Sequence, residues 1–325
     1  MTTRPLASVS LDLDNLWAYL KTHGDAEWER MPSFLPTAAP RLLELFGEHG
    51  VTGTVFAVGA DVEREDGAKA VAAFAAEGHE VANHSYRHEP WLHRYSRTEL
   101  EAELARTEEA IVAAGAPRPV GFRGPGFSVS PTLVEVLADR GYTYDASTLP
   151  TWIGPLARAF HNRTAPPGDA RRDELFGGFS RVLAPNSAYR WRTGSGADRA
   201  DLVELPVTTM PLLRVPIHGA YVLQLHQISP RLARCYFATA LRLCRALGVS
   251  PSLLVHPTDV LGAAEAPGMA FFPGMGVPTA RKVALLSWML TTVRASFTVV
   301  GTGEHVTRAG PPRRERDVRE LGRGT

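Results

Sequence analysis

Short apolar runs alternate with longer amphipathic ones along most of the chain. In "ASVSLDLD" (7–14), Val9, Leu11 and Leu13 fall on one face and Ser8, Ser10, Asp12 and Asp14 on the other. That period of two marks a strand. The same reading predicts strands at 52–59, 80–85, 120–127, 142–147, 201–209, 252–259 and 297–301. Between them, 38–50, 65–80, 96–115, 130–141, 230–248 and 277–296 carry a helical period. Their ends are punctuated accordingly. Ser96 and Glu99 make a capping box, Ser130 precedes Pro131 at a first helical position, and Gly50, Gly78 and Gly115 stand at helix ends. Repeated β-then-α units predict a parallel sheet with helices outside. Seven or eight such units in one chain favour an α/β barrel, closed or irregular, over an open sheet. Chemistry in such barrels sits at the C-terminal ends of the strands. The rhythm stops at about 150–200, a stretch rich in Pro, Gly, Arg and aromatics. It is expected to be an irregular insertion that either carries function or is disordered.

A chain of 325 residues suits two ordinary domains or one α/β barrel. The expected organisation is a single barrel over 1–310, followed by a mobile Arg-rich tail at 311–325. Lys and Arg total 35 against 34 Asp and Glu, a net charge of +1, so no global field draws in nucleic acid or an acidic membrane. The two cysteines, Cys235 and Cys244, stand nine apart on one helix and do not form a disulfide framework. "MTTRPLASVSLDLD" has no apolar signal segment. The most apolar stretch, 210–228, is broken by Arg214, Pro216, His218 and His226, which makes a poor membrane span. The expectation is a soluble, cytoplasmic protein with no nucleic-acid partner and no integral membrane span. Homo-oligomerisation stays open.

Nearly every acid, base or ligand-type residue falls at the same end of a strand. The first strand ends with Asp12 and Asp14, the third with Asn83, His84 and Ser85, and His88 follows one turn on. The next two end with Arg123 and Pro125, then Asp145 and Ser147, and the 252–259 strand ends with His256, Pro257 and Asp259. Asp12 and Asp14 are two apart and so share a face. Two carboxylates buried together need a cation or an arginine beside them. Asp14 with His84 and His88 forms a three-ligand set that leaves room for water, as catalytic metal sites do. Arg123 is available to pair with Asp12.

The motifs "SLDLDN", "GHEVANHSYRH", "GFRGPGF" and "LLVHP" resemble those of the polysaccharide deacetylases, carbohydrate esterase family four, also called the chitooligosaccharide-deacetylase homology domain. They span residues 8–259. The resemblance implies a distorted (β/α)7 barrel and an amide hydrolase acting on carbon–nitrogen bonds other than peptide bonds. It implies that Asp14, His84 and His88 bind a divalent metal, with Zn2+ expected ahead of Co2+, Ni2+ or Fe2+. It further implies Asp12 as general base, Arg123 as its orienting partner and His256 as general acid. Pro125, Asp145, Ser147, Trp17 and Trp91 are the expected substrate contacts. Either Asp145 or Asp259 would brace His256.

The commoner motif has adjacent aspartates followed by glycine; here Leu13 intervenes and Asn15 follows. This D-x-D form is similar to a branch that holds cytoplasmic-type peptidoglycan deacetylases and lipid-linked aminosugar deformylases, and that adjoins metal-free relatives acting on cyclic ureides or imides. The expected reaction is removal of an N-acetyl or similar small acyl group by metal-activated water. The expected substrate is an amino sugar or glycoconjugate, free or lipid-linked. Hydrolysis of a non-sugar C–N bond and a non-catalytic binding barrel are the two alternatives.

Overall fold

The structure, a computed structural model, describes residues 4–153, 184–193 and 201–322. Ten strands are assigned among them: β1 (Leu6–Asp12), β2 (Thr54–Ala57), β3 (Glu80–Asn83), β4 (Gly121–Phe122), β5 (Tyr144–Asp145), β6 (Tyr189–Arg192), β7 (Asp201–Glu204), β8 (Ser252–Val255), β9 (Thr298–Val300) and β10 (Glu315–Asp317). Seven of them form the parallel wall of a distorted (β/α)7 barrel, in the order β7-β5-β4-β3-β2-β1-β8. The ring closes only loosely. Just past β7, the Thr208 N–H donates to the Ser252 carbonyl at 2.9 Å, and the Ser252 N–H donates to Thr208 Oγ1 at 2.8 Å. β9 lies on the β2 side of β1, pairing Leu6–Ser8 with Thr298–Val300 below the Ser10–Asp12 stretch that pairs with β2.

The alternation in β1 arises from two different buried faces. Ala7, Val9, Leu11 and Leu13 pack outward into the main core with the surrounding helices. Ser8, Ser10 and Asp12 are buried as well, on the opposite face. A small apolar cluster from the other strands, Phe56, Ala82 and Tyr144 with Ala146, also packs together, with Val203 and Val306 against it. Helix Thr302–Ala309 seals the N-terminal end of the wall. The Thr302 N–H donates to Thr54 Oγ1 at 2.6 Å and the Gly303 N–H to Glu80 Oε2 at 2.9 Å, while Tyr144 Oη donates to Glu80 Oε1 at 2.9 Å. With that end plugged, the C-terminal strand ends are left for chemistry.

Among the described residues, four helices escape the periodic reading: Leu16–His23, Gly219–Ile228, Thr302–Ala309 and the single turn Gly59–Val62. The second lies inside the apolar stretch 210–228, whose near-uniform hydrophobicity hides any period. No described helix is long and apolar enough to cross a membrane. The expected mobile tail is corrected over its described part. Glu315–Asp317 adds to the sheet as β10, parallel to β6, and Val318 is buried. Most of the expected insertion lies outside the described residues. Its described portion is not wholly irregular, since Tyr189–Arg192 forms β6, antiparallel to β7.

Gly121 marks where the wall is tightest. A Cβ at this position would overlap the phenol ring of Tyr144, which is fully buried and braced by Glu80. Gly121→Ala is therefore expected to destabilise the fold by about 3 kcal/mol. The check is a urea unfolding curve whose midpoint falls while its slope stays unchanged; an unshifted midpoint would show that the wall yields at this point.

Candidate metal and active site

Four strand ends converge. β1 delivers Asp12 and, two residues on, Asp14; β3 is followed by His84, β4 by Arg123 and β8 by His256. Arg123 is wholly buried. Its Nη1 donates to Asp12 Oδ1 at 2.5 Å and to Ser10 Oγ at 2.9 Å, and its Nε donates to the Ala146 carbonyl at 3.0 Å. The guanidinium also lies 4.1 Å from the Phe56 ring centroid. His84 Nε2 is 3.3 Å and His88 Nε2 3.0 Å from Asp14 Oδ1. His84 Nε2 and His256 Nε2 each stand 3.9 Å from Asp12 Oδ2. The Asp14, His84 and His88 donor atoms lie within 4.8 Å of one another.

The 84–88 loop is held against backbone strain. Ser85 and His88 have φ of 61° and 52°, in the left-handed region, at about 1–3 kcal/mol each. Four groups hold the loop in place. Asn83 Oδ1 accepts the Ser85 N–H at 2.8 Å, and the Gly59 and Ala60 N–H groups donate to the Ser85 and Tyr86 carbonyls at 3.0 Å. Glu103 Oε2, from helix Arg97–Ala113, accepts the Tyr86 and Arg87 N–H groups at 2.8 and 2.9 Å. His84 is fixed further, because its Nδ1 lies 2.6 Å from the Arg123 carbonyl. A carbonyl only accepts, so Nδ1 carries a proton and Nε2 is the nitrogen turned toward Asp14.

Asn15, the departure from the commoner motif, is structural. Its Nδ2 donates to Asp61 Oδ1 at 2.7 Å and its Oδ1 accepts the Leu16 and Phe34 N–H groups at 2.8 and 3.1 Å. Asp61 also accepts from Trp17 Nε1 at 2.8 Å, and burial pushes its carboxyl up to about 7. Tyr19 Oη donates to Asp14 Oδ2 at 3.3 Å, and burial together with the Asp14 charge keeps the phenol protonated. Burial alone would raise Asp14 itself. The charge of His88 and the hydrogen bonds and charge of the two histidines outweigh burial and hold it well below the usual carboxylate range.

Several expected substrate contacts are corrected. Trp17 is buried and spends its N–H on Asp61. Asp145 and Ser147 are wholly buried; Ser147 Oγ donates to Asp145 Oδ1 at 2.5 Å and accepts the Gly124 N–H at 2.8 Å. Pro125 is buried and its carbonyl accepts the Ser128 N–H at 3.0 Å. These four residues support the Arg123 turn and the β1 loop from within. Trp91 is half-buried just before the short helix Leu92–Arg94. Of the two aspartates considered as a brace for His256, Asp259 is the one beside it: its Oδ2 accepts the His256 N–H at 2.9 Å. Asp145 instead meets the buried carboxyl of Glu204, whose Oε1 accepts the Thr148 N–H at 2.8 Å. Glu103, Glu204 and His218 were not picked out from the sequence as site residues. Each comes from a helix or strand whose place at the site depends on tertiary packing.

Residues 25–144 match the family model described as polysaccharide deacetylase. A chitooligosaccharide deacetylase of Rhizobium leguminosarum bv. trifolii is 39% identical over 79 residues, 24% of this chain and 35% of that protein. A peptidoglycan deacetylase of Helicobacter pylori is 26% identical over 156 residues, 46% of this chain and 51% of that protein. The matched segments thus span about half or less of these relatives. A crystal structure from Mycobacterium smegmatis, provisionally named a polysaccharide deacetylase, superposes with a TM-score of 0.61 at 22% identity, covering 96% of this chain and 93% of that one. At that identity the likeness is one of fold.

The Asp145–Glu204 contact carries a pH signature. Burial, then the charge and hydrogen bond of Asp145, hold the Glu204 carboxyl well above its ordinary value. An acid whose folded pKa is raised stabilises the fold fully below its unfolded value of about 4.3 and loses that contribution as pH rises toward the folded value. Glu204→Gln keeps the hydrogen-bonding shape and removes the titration. Between pH 5 and pH 8 the melting temperature of the variant is expected to gain about 3 °C or more relative to wild type. A gap between the two melting curves that is the same at both pH values would show that Glu204 does not hold the proton.

Proposed function

The chain belongs to the polysaccharide deacetylase family, and on that premise we propose that it is a metal-dependent hydrolase that removes an N-acetyl or similar small acyl group from an amino sugar or glycoconjugate. One observation carries the reading: Asp14, His84 and His88 point their donor atoms together, beside the Asp12–Arg123 pair and across from His256.

The donor set fits a divalent ion. Two imidazole nitrogens and one carboxylate oxygen suit Zn2+ with a position left open, and Co2+, Ni2+ or Fe2+ accept the same ligands. The Arg123 carbonyl on His84 Nδ1 is the kind of outer hydrogen bond that orients a ligand histidine. When bound, the ion would act as a Lewis acid toward the acyl oxygen and acidify a water at neutral pH. The remaining work belongs to the chain. Asp12 Oδ1 is held by Arg123, which leaves Oδ2 facing His84 and His256 and free to take a proton from an attacking water. Arg123 compensates the Asp12 charge and fixes its direction. His256 Nε2 lies 3.9 Å from Asp12 Oδ2, where it can deliver a proton to the departing amine. An amide nitrogen leaves only as the neutral amine, so this transfer is required. Tyr19 and Glu103 position Asp14 and the 84–88 loop.

The first test is elemental analysis of the purified wild type beside a His84→Ala/His88→Ala variant. About one divalent ion per chain in the wild type, lost in the variant, is expected; absence from both after reconstitution would sink the metal-dependent reading. Asp12→Asn is expected to keep the ion and to lower kcat for acetate release by about 10²–10⁴, measured with N-acetylated amino-sugar substrates. Equal loss of ion and activity would instead make Asp12 a ligand.

A further inference from the structure

Among the buried titratable groups, His218 has no place in the mechanism above. It stands immediately before helix Gly219–Ile228, which begins pressed against the His256 turn. A Cβ on Gly219 would overlap the Asp259 carboxylate, the same carboxylate that accepts the His256 N–H. The contact locks the two histidines side by side, with ring centroids 6.3 Å apart at 64°. His256 thus neighbours both Asp12 and His218. His218 is 7% exposed, and its Nδ1 is enclosed with no hydrogen-bond partner among the described residues. Its other aromatic neighbour, Tyr221, offers a ring 4.9 Å away.

An enclosed polar nitrogen without a partner is rare and calls for a ligand, a water or a specific role. The role of a second acid is closed to this imidazole. Burial, with the charges of His256 and Arg123 adding to it, pushes His218 down to about 3, so it is neutral at any working pH. A neutral imidazole offers one donor and one acceptor. Its neighbour His256 faces the departing nitrogen in the reading above. A group reached by His218 would then lie close to that nitrogen. In an amino sugar the carbons flanking the amide-bearing one carry oxygen.

We propose that His218 is a further substrate-contacting residue, hydrogen-bonding an oxygen substituent on a carbon next to the scissile amide of an amino sugar. The inference rests on the amide-hydrolase reading and narrows it. The site would recognise vicinal hydroxy-amides and would discriminate against acetamides of plain hydrocarbons, because an enclosed polar group left unpaired costs binding.

The test uses the metal-loaded full chain carrying Asp12→Asn to suppress turnover, alone and with His218→Phe or His218→Asn. The probes are di-N-acetylchitobiose, with hydroxyls beside its amides, and N-cyclohexylacetamide, without them. Calorimetry is expected to show that His218→Phe weakens chitobiose binding about tenfold or more, that His218→Asn recovers part of it, and that cyclohexylacetamide binding is unchanged. Equal weakening for both probes, no weakening for either, or no chitobiose binding before the His218 change would each overturn the proposal. The two readings fail separately. A preserved probe difference in a chain that takes up no metal removes the hydrolase mechanism and keeps the contact. Metal uptake with no probe difference does the reverse.

Discussion

Arg123 is buried without any exposed surface, and the site is arranged around its charge. Its side chain holds Asp12 and Ser10 of β1 and the Ala146 carbonyl just past β5, while its own carbonyl meets His84 just past β3. One residue therefore ties together three strand ends and fixes both the proposed base and one proposed ligand. Burying an ion pair is costly, and the attraction repays that cost only when the remaining hydrogen-bonding capacity is used. Here the Nε and Nη1 groups are used, and only Nη2 lacks a partner among the described residues. Removing either partner would leave an uncompensated charge in the barrel interior, a change typically worth about 3–5 kcal/mol. The pair is a condition of the fold as well as of the chemistry.

The interior of β1 explains the rest of the arrangement. Polar groups buried at the centre of the wall must each be hydrogen-bonded. Ser8, Ser10 and Asp12 occupy one buried face, and each finds a polar partner: His305 Nδ1 for Ser8, the Leu253 carbonyl and Arg123 for Ser10, Arg123 for Asp12. The 84–88 loop departs furthest from local preference, with two non-glycine residues at positive φ. Glu103 and Asn83 hold it by satisfying N–H groups that the unusual backbone leaves without strand or helix partners. Local rules are broken here because the two histidines must face one carboxylate, a pattern common at functional sites.

Much of this was legible along the chain. Period two in 7–14, the capping box at Ser96 and Glu99, and Pro131 after Ser130 are local signals, and each corresponds to the element found, with ends shifted by a few residues. Asp12, Asp14, His84, Arg123 and His256 could be grouped because a parallel barrel brings equivalent strand ends together whatever the intervening loops do. The substrate contacts were harder to read. Trp17, Asp145 and Ser147 lie within a few residues of strand ends, as the reacting groups do, yet they turn inward to Asp61, Glu204 and Gly124. Sequence position specifies which end of a strand a residue occupies, and it does not specify whether its side chain meets solvent or another carboxyl.

The sequence by itself determined the alternation of strand and helix, the barrel class and the five strand-end residues that meet, because all of these follow from short-range periodicity and from a topology with few solutions. Only the tertiary structure decided the partnerships: Arg123 with Asp12, Glu103 under the histidine loop, Asp145 against Glu204, and His218 beside His256. These pair residues 16 to 111 positions apart in the sequence. Burial and mutual electrostatics set them, and neither exists until the chain has closed on itself.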